Sequence, residues 1–362
     1  MATVRINIDK HEEQSDKAWN DMTLMEKWRH RYNDKERSIQ SANAAKQYAR
    51  LTFAFQSTTQ LYVFLCVIIP RLFDDFDEWT RYWLKVFTVF VCVEWFMNYF
   101  CTIFYSTNIT KTRDNPSIET KERWNNPPEY FESFLADGAR SNGHAPQFRN
   151  CPRDDGGISW NYCQDCEIHI PPRAYHCNIC RTCILKRDHH CYFVGTCIGF
   201  RNQRYFYVLS FYSIIIGAVA FYFTWIYLET FYWPVAYSWT NYLPPIAVYR
   251  WILGSEDLNF HLVLLIVHLY IEFICGLLGI VYCTAQTVLV FKGITMFEFA
   301  KQVKVKCNNS VNQNFRSVFG DFWALNFIFP MTILFKQRDD GYKWEGVKIN
   351  HNSNYKKKVY NY

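Results

Sequence analysis

The chain has 362 residues, half of them hydrophobic and 19% of them Phe, Trp or Tyr. A mean hydropathy of −0.18 would suit a soluble protein, but this average blends long apolar runs with polar segments. The apolar and aromatic excess indicates contact with lipid. The net charge of +6 indicates affinity for an anionic membrane leaflet more than for nucleic acid.

Four stretches are apolar and long enough to cross a bilayer core of about 30 Å, which takes about 20 helical residues. They lie at 51–70, 82–105, 205–228 and 262–291. Glu94 in the second stretch and His268 and Glu272 in the fourth are costly in lipid unless they face other helices. The sequence therefore predicts four transmembrane helices; the alternative for each is a buried helix of a large soluble protein.

The basic residues predict the orientation. Of 39 Lys and Arg, 10 lie in residues 1–50, 13 in 106–204 and 12 in 292–362, whereas the connections 71–81 and 229–259 hold three. The positive-inside rule places the three rich segments, and both termini, on the cytoplasmic side. No secretory signal peptide is visible in residues 1–50, so the first span is expected to act as the targeting signal.

A cysteine-rich stretch lies between the second and third spans. Seven of the 14 cysteines fall within 35 residues, together with four histidines: Cys163, Cys166, Cys177, Cys180, Cys183, Cys191, Cys197, His169, His176, His189 and His190. Cytoplasmic thiols are reduced, so disulfides explain them poorly. Zinc takes four Cys or His ligands, and the repeated Cys-x-x-Cys steps indicate two zinc sites. Two such sites need eight ligands, so three of the eleven side chains are not needed as zinc ligands.

The run Asp188-His189-His190-Cys191 combines metal ligands with groups suited to catalysis. Cys is the best side-chain nucleophile near neutral pH once its thiolate is available, and a His oriented by a carboxylate can provide that. Asp, His and Cys on four consecutive residues can form such a relay. The alternative is that all of them belong to a purely structural zinc module.

This stretch closely resembles the cysteine-rich domain of the DHHC protein S-acyltransferases, the palmitoyltransferases of eukaryotic membranes. Their pattern, C-x2-C-x9-HC-x2-C-x2-C-x4-DHHC-x5-C, is reproduced by residues 163–197 without a gap. The flanking Pro171-Pro172-Arg173 and Gly199-Phe200…Asn202…Phe206 also match. The family has four spans with this domain between the second and third, so the resemblance covers about residues 50 to 330.

The resemblance implies a role for each residue of the stretch. One zinc ion would be held by Cys163, Cys166, His176 and Cys183, and the other by Cys177, Cys180, His190 and Cys197. Cys191 would be the acylated nucleophile, His189 its base and Asp188 the group that orients His189. His169 is left as a surface histidine.

The resemblance also implies the reaction and its partners. Acyl-CoA, palmitoyl-CoA in particular, would acylate Cys191, and a cysteine thiol of a membrane-associated protein on the cytoplasmic face would then take the acyl group. Arg173, Lys186 and Arg187 are the nearest candidates to bind the CoA phosphates; the alternative is that these cations are solvated or face lipid headgroups. No nucleic-acid partner is expected.

Two further motifs follow the fourth span, and several positions depart from the family. Thr295-Met296-Phe297-Glu298 resembles the TTxE motif with Met for the second Thr, and Asn314 begins a segment whose Asn supports the active site. Tyr192-Phe193 replaces the usual Pro-Trp, so Phe193 would line the acyl cavity in place of Trp. Gly195-Thr196 stands where Asn-Asn is common.

The predicted fold class is a polytopic α-helical membrane protein with four transmembrane helices and a small zinc-stapled cytoplasmic domain, without an evident internal repeat. The predicted division is 1–50 cytoplasmic, 51–105 the first two helices, 106–204 cytoplasmic with the zinc domain at about 160–204, 205–291 the last two helices with a lumenal loop, and 292–362 a cytoplasmic tail. The expected location is the endoplasmic reticulum or Golgi membrane.

Two hypotheses therefore remain after the sequence. The first is an S-acyltransferase with two structural zinc ions. The second is a membrane-anchored zinc scaffold with little or no catalysis, which the departures at Tyr192, Phe193 and Met296 favour and the complete Asp188–Cys191 run opposes. A transporter would need paired intramembrane charges, and Glu94 and Glu272 are the only acidic candidates there.

Overall fold

The computed structural model describes residues 35–109, 161–166, 168–232, 239–256, 258–328, 341–342 and 346–350, together with Thr23, Gln337 and Trp344. The predicted segments 1–34, 110–160 and 351–362 lie outside these residues, as does the side chain of His169. All statements on structure below concern the described residues.

Four helices are long and apolar enough to span a membrane, which confirms the predicted fold class. The first consists of α1 (Lys35–Tyr62), a π-helical turn (Val63–Ile68) and α2 (Ile69–Leu72); the others are α3 (Glu78–Phe104), α4 (Gln203–Phe231) and α6 (Phe260–Lys292). The helices extend beyond the predicted apolar windows, and two of them begin at a polar cap. Asp77 accepts a hydrogen bond from the N–H of Thr80 at the start of α3, and Asn259 from that of Leu262 at the start of α6.

Helices α4 and α6 make the closest contact of the bundle. Gly217 on α4 faces Gly276 on α6 so tightly that a Cβ atom on Gly217 would overlap the Gly276 backbone. A Cβ atom on Gly279 would lie 2.9 Å from the backbone nitrogen of Ile214 on α4. Small residues let transmembrane helices approach and gain van der Waals contact where water provides no driving force. This contact fixes the relative height of α4 and α6, and thereby of the polar side chains at the ends that approach the cysteine-rich stretch.

Polar side chains inside the bundle bond across helices. Trp95 of α3 donates to the Ser213 hydroxyl of α4 at 2.9 Å, and the Gln56 amide of α1 donates to the Glu272 carboxylate of α6. Glu94 and Glu272 are buried within the bundle, as their cost in lipid requires. Glu272 also lies 3.7 Å from the Nδ1 atom of His268, one turn earlier on α6.

Three two-stranded hairpins of equal size make up the cysteine-rich stretch. They pair β2 (Asn161–Cys163) with β3 (Ile168–Ile170), β4 (Tyr175–Cys177) with β5 (Thr182–Ile184), and β6 (His189–Cys191) with β7 (Thr196–Ile198), while β1 (Asn108–Ile109) adds to β5. The equivalent residues Cys163, Cys177 and Cys191 end the first strand of each hairpin. A structural repeat of 14 residues is therefore present, contrary to the expectation of none.

The segment after α6 is folded, whereas the sequence indicated only a tail with two weak motifs. It contains α7 (Met296–Ala300), β8 (Lys304–Cys307), α8 (Val311–Phe319), a 3-10 turn (Trp323–Phe327) and β9 (Val347–Asn350), with β8 paired to β9. The connection between α4 and α6, predicted as a loop, also contains a short helix, α5 (Pro244–Ile252). Its Pro-Pro start suits a helix N-terminus, where no N–H is needed.

Candidate active site and metal centres

Two groups of three cysteines and one histidine converge between the hairpins. The first comprises Cys163, Cys166, His176 and Cys183, and the second Cys177, Cys180, His190 and Cys197; in each group all ligand atoms lie within 4.8 Å of one another. Each group takes its first two cysteines from one hairpin and its His and last Cys from the next. These are the two sets of four that the resemblance implies.

The separations within each group fit one tetrahedrally bound cation. The Nδ1 atom of His176 lies 3.6, 3.2 and 4.0 Å from the sulfur atoms of Cys163, Cys166 and Cys183. In the second group, His190 Nδ1 lies 3.9, 3.2 and 3.6 Å from the corresponding sulfurs. Bonds of about 2.0–2.3 Å at tetrahedral angles require ligand atoms about 3.5 Å apart.

The protonation of these ligands also fits a cation. Burial lowers the pKa of His176, which favours the neutral ring that can bind metal. Burial, and then the neighbouring Cys163, raise the pKa of the Cys183 thiol, because thiolates packed together repel one another. A divalent ion offsets that repulsion, so the donor set and its electrostatics both suit a metal. No disulfide joins the cysteines that the structure describes.

Asp188 and His189 form a buried pair at the start of β6. His189 Nδ1 lies 2.8 Å from Asp188 Oδ2, and the Asp188 side chain is fully buried. The Nε2 atom of His189 is buried and has no hydrogen-bond partner among the described residues. Such an arrangement orients the ring and leaves its second nitrogen available to a neighbouring thiol.

Asp188 is held by three hydrogen bonds from three separate elements. Besides His189, the Gln286 amide of α6 donates to Oδ2 at 2.6 Å, and the backbone N–H of Met296 donates to Oδ1 at 2.7 Å. Burial alone would raise the pKa of Asp188, but these bonds outweigh it and lower the pKa. The carboxylate is therefore fixed in its charged form.

The negative charge of Asp188 affects the pKa of His189. Burial opposes the imidazolium, but the interactions with Asp188 and with the Cys191 thiol are stronger and raise the pKa of His189 to about 9. The ring can thus hold a proton next to Cys191 at neutral pH. A thiolate and an imidazolium together form the reactive state of a cysteine nucleophile.

Cys191 ends β6 two residues after His189 and belongs to neither metal-binding group. Its side chain is 2% exposed and lies in an apolar cluster with Phe53, Tyr99 and Phe206 at one end of the helix bundle. Phe193 packs edge-on against Phe53 and Tyr99, with ring centroids 6.1 and 5.9 Å apart. The predicted acyl-cavity residue thus packs against helices α1 and α3, in the same apolar cluster as Cys191.

The three basic residues predicted to bind CoA phosphates, Arg173, Lys186 and Arg187, each contact other groups of the protein. Arg173 donates to Glu298 at 2.7 and 2.8 Å, and its guanidinium lies 4.8 Å from the Trp344 ring. Lys186 Nζ lies 5.2 Å from the same ring, and both side chains line one small cleft. Arg187 donates to the carbonyl of His176 and lies over the Phe297 ring. These contacts give all three a structural role; their binding to CoA phosphates stays a prediction.

The residues expected to support the site join the segment after α6 to the cysteine-rich stretch. Thr295 caps α7 through a reciprocal pair of bonds with Glu298, and Glu298 also binds Arg173. Asn314 donates to the carbonyl of Phe291 near the end of α6 at 3.1 Å. Together these bonds fix α7, and hence the Met296 N–H, against Asp188.

Sequence reasoning missed one polar pair at the site. Gln203, at the start of α4, donates to the Gln286 carbonyl oxygen at 3.0 Å, and Gln286 in turn donates to Asp188. Both are buried. Gln286 is the one amide side chain in the fourth span at 262–291. An amide within a membrane span needs a partner, and this signal could have identified it.

Comparisons with known proteins agree with this geometry. Residues 157–303 match the family model described as DHHC palmitoyltransferase. Over 138 residues the chain is 36% identical to Palmitoyltransferase ZDHHC22 of Danio rerio. The matched stretch covers 36% of this chain and 47% of that relative, so the chain spans about half the length of the curated relative it matches. Residues 157–303 of this four-helix membrane protein are therefore similar to the DHHC palmitoyltransferase domain.

Proposed function

We propose that the chain is a protein S-acyltransferase that carries a long-chain acyl group from acyl-CoA to cysteine thiols of membrane-associated proteins, with palmitoyl-CoA as its donor. One observation carries the proposal. The buried pair of Asp188 and His189 adjoins Cys191, which no metal-binding group uses and which faces an apolar cluster of membrane helices.

The reaction proceeds in two balanced steps. His189 takes the thiol proton of Cys191, the thiolate attacks the thioester carbonyl of acyl-CoA, and the carbon–sulfur bond to CoA breaks. His189 then gives the proton to the departing CoA sulfur. In the second step a substrate cysteine loses its proton to His189 and attacks the Cys191 thioester, and Cys191 regains the proton. Asp188 stabilises the imidazolium in both steps.

Two structural zinc ions are part of the proposal, each held by one of the two Cys3His groups. When bound, zinc would supply closed tetrahedral coordination and no open position for a reactant. The ligand residues of the chain would hold the proposed catalytic residues in place. His190 and Cys197 lie opposite each other on β6 and β7, so fixing them also fixes His189 and Cys191 on the same hairpin.

The acyl chain has an apolar path beside Cys191. Phe53, Tyr99 and Phe193 surround it with aromatic surface, and each buried CH2 group is worth about 0.8 kcal/mol. The binding free energy of an acyl chain therefore becomes more favourable as the chain lengthens. Phe193 takes the position of the family's Trp. We place this face, with both termini, on the cytoplasmic side of an endoplasmic reticulum or Golgi membrane, as the basic residues indicate.

The alternative is an inactive zinc scaffold. The geometry favours catalysis because Asp188 and His189 keep their bond despite the departures. Tyr192, which replaces the family's Pro, is 61% exposed and packs edge-on against His190, and Met296 donates through its backbone.

Acylation of the purified protein tests the proposal. Wild-type protein incubated with labelled palmitoyl-CoA is expected to acquire hydroxylamine-sensitive label, and Cys191→Ser and His189→Ala are expected to lose it while retaining about two zinc ions per chain. Cys66→Ser, which changes an exposed thiol of the first span, is the matched control and is expected to label normally. An unlabelled wild-type protein that holds its zinc would leave only the scaffold hypothesis.

A further inference from the structure

Two cations on α1 remain without partners beside the proposed active site. Lys46 and Arg50 lie one helical turn apart, with Lys46 half-buried and Arg50 exposed. Neither makes a hydrogen bond or an ion pair with any part of the chain that the structure describes. Such a pair on one face of a helix attracts an anion.

Lys46 lies directly over the turn that follows Cys191. A Cβ atom on Gly195 would lie 2.6 Å from Lys46 Cγ and 3.1 Å from its Cα, so only glycine allows α1 to approach here. Gly195 has φ +70°, and its N–H donates to the carbonyl of Cys191 at 2.8 Å. The backbone of Lys46 is therefore within van der Waals contact of the loop that carries the nucleophile.

The same face of α1 leads from these cations to the apolar cluster around Cys191. Lys46, Arg50 and Phe53 follow the spacing i, i+4 and i+7, which puts them on one helix face. Phe53 is 2% exposed and stacks on Tyr99 with ring centroids 3.5 Å apart. The face is basic at its start and apolar at Phe53, which matches a ligand with an anionic head and an apolar tail.

An unpartnered hydroxyl belongs to Tyr99, whose ring stacks on Phe53 at the apolar end of this face. The Tyr99 hydroxyl is buried and has no hydrogen-bond partner among the described residues. It is within electrostatic range of both Arg50 and Cys191. A buried donor without a partner costs free energy that a bound polar group can recover.

We infer that Lys46 and Arg50 bind the phosphate groups of the acyl-CoA donor, with the Tyr99 hydroxyl available to the amide-containing linker between the phosphates and the thioester. The inference rests on the proposed function and names its headgroup site. Arg173 and Lys186, by contrast, contact Glu298 and Trp344 within the protein.

Two thioesters that differ only in their headgroup test the inference. Palmitoyl-CoA carries phosphates, whereas S-palmitoyl-N-acetylcysteamine has the same thioester without them. The variant Lys46→Glu/Arg50→Glu is expected to lose roughly tenfold or more in the rate of Cys191 labelling at low palmitoyl-CoA concentration, because charge-assisted hydrogen bonds are lost. Its labelling by S-palmitoyl-N-acetylcysteamine is expected to stay at the wild-type rate, and the conservative variant Lys46→Arg/Arg50→Lys is expected to keep most of both rates.

The matched control changes the same charge elsewhere. Lys304 and Lys306 are exposed on β8, and Lys304→Glu/Lys306→Glu is expected to label like wild type with both donors. Zinc content and the thermal unfolding temperature check that the Lys46/Arg50 variant is folded. Equal loss with both donors, or no loss with either, overturns the inference. If neither donor labels the wild-type protein, the proposed function itself fails.

Lipid headgroups carry the same phosphate chemistry, and vesicle composition separates the two sources. The assay is repeated in pure phosphatidylcholine and in vesicles that also contain phosphatidylserine. Binding of the donor predicts the same loss in both membranes. A loss confined to vesicles with phosphatidylserine would assign the two cations to the anionic membrane surface and overturn the inference.

Discussion

The second and third hairpins of the cysteine-rich stretch have the same backbone plan but different chemistry. Cys177 and Cys191 both end a first strand, and each pairs with a Thr on the second. Three residues later the second hairpin has Cys180, whereas the third has Val194, which is fully buried. One thiol therefore belongs to a four-ligand group, and its equivalent lies among apolar side chains.

The difference arises from the way the groups are assembled. Each metal-binding group needs a Cys-x-x-Cys step from one hairpin and a His and a Cys from the following one. At the positions where a fourth hairpin would provide them, the chain has Arg204 and Phe211, both already in α4. Cys191 thus occupies the equivalent of a ligand position without the three partner ligands, which supports the proposal that its thiol is the nucleophile.

Exchanging either equivalent thiol gives the largest expected effect. Cys191→Ser should abolish acylation and keep both zinc ions, whereas Cys177→Ser should lose one zinc ion and unfold at a clearly lower temperature, because metal binding stabilises small domains strongly. Zinc content, thermal unfolding and labelling, measured together, check both. Loss of zinc from Cys191→Ser would contradict the distinction between the hairpins.

Introducing a cysteine at position 194 should enable the third hairpin to bind a metal ion. Val194→Cys creates a Cys-x-x-Cys step with Cys191, the proposed nucleophile, at the cost of a small volume change in a buried position. We expect added zinc to inhibit the labelling of this variant and a chelator to reverse the inhibition. Val194→Ala, which adds no thiol, is the control, and inhibition of that variant by zinc would argue against the comparison.

Removing the amide that supports Asp188 should act on rate more than on fold. Gln286→Leu deletes one of three hydrogen bonds to the carboxylate and is expected to reduce the labelling rate by roughly 10- to 100-fold, equivalent to about 1.5–3 kcal/mol for a bond to a charged group. Zinc content should not change. The neighbouring Thr287→Val, which removes a bond to Tyr207, is expected to leave the rate within a few-fold of wild type.

The smallest effect concerns protonation. Because the pKa of His189 is raised to about 9, its ring stabilises the folded state below the ordinary pKa of about 6.5, and this contribution is lost as pH rises through about 9. Asp188→Asn removes a major cause and should move the pKa down toward 6.5. NMR titration of His189 measures the shift, and an unchanged value would show that Asp188 is not responsible.

The membrane spans and the metal-binding groups were predictable because each rests on local patterns. An apolar run is recognisable from its own residues, and the cysteine pattern of residues 163–197 is continuous. The 14-residue spacing is also present in the sequence. It is hard to recognise there because the second hairpin contributes ligands to both groups, so the two groups overlap along the chain. The roles of the catalytic and supporting residues remain predictions that experiment must test.

Contacts between distant segments could not be predicted. Trp344 covers Arg173 and Lys186 only because β8 and β9 bring the end of the chain back to the hairpins. The bond from Gln286 to Asp188 likewise depends on the height at which α4 and α6 pack, which their glycines determine. No pattern within a single segment encodes either contact.

The bond from Met296 to Asp188 has a consequence for tolerance to mutation. A peptide N–H is supplied by every residue except proline, so the anchor of the carboxylate does not depend on which side chain stands at position 296. A comparison of side chains alone would count Met296 as the loss of a motif. The side chains that matter here are instead those of Thr295 and Glu298, because their reciprocal cap orients the peptide group of Met296.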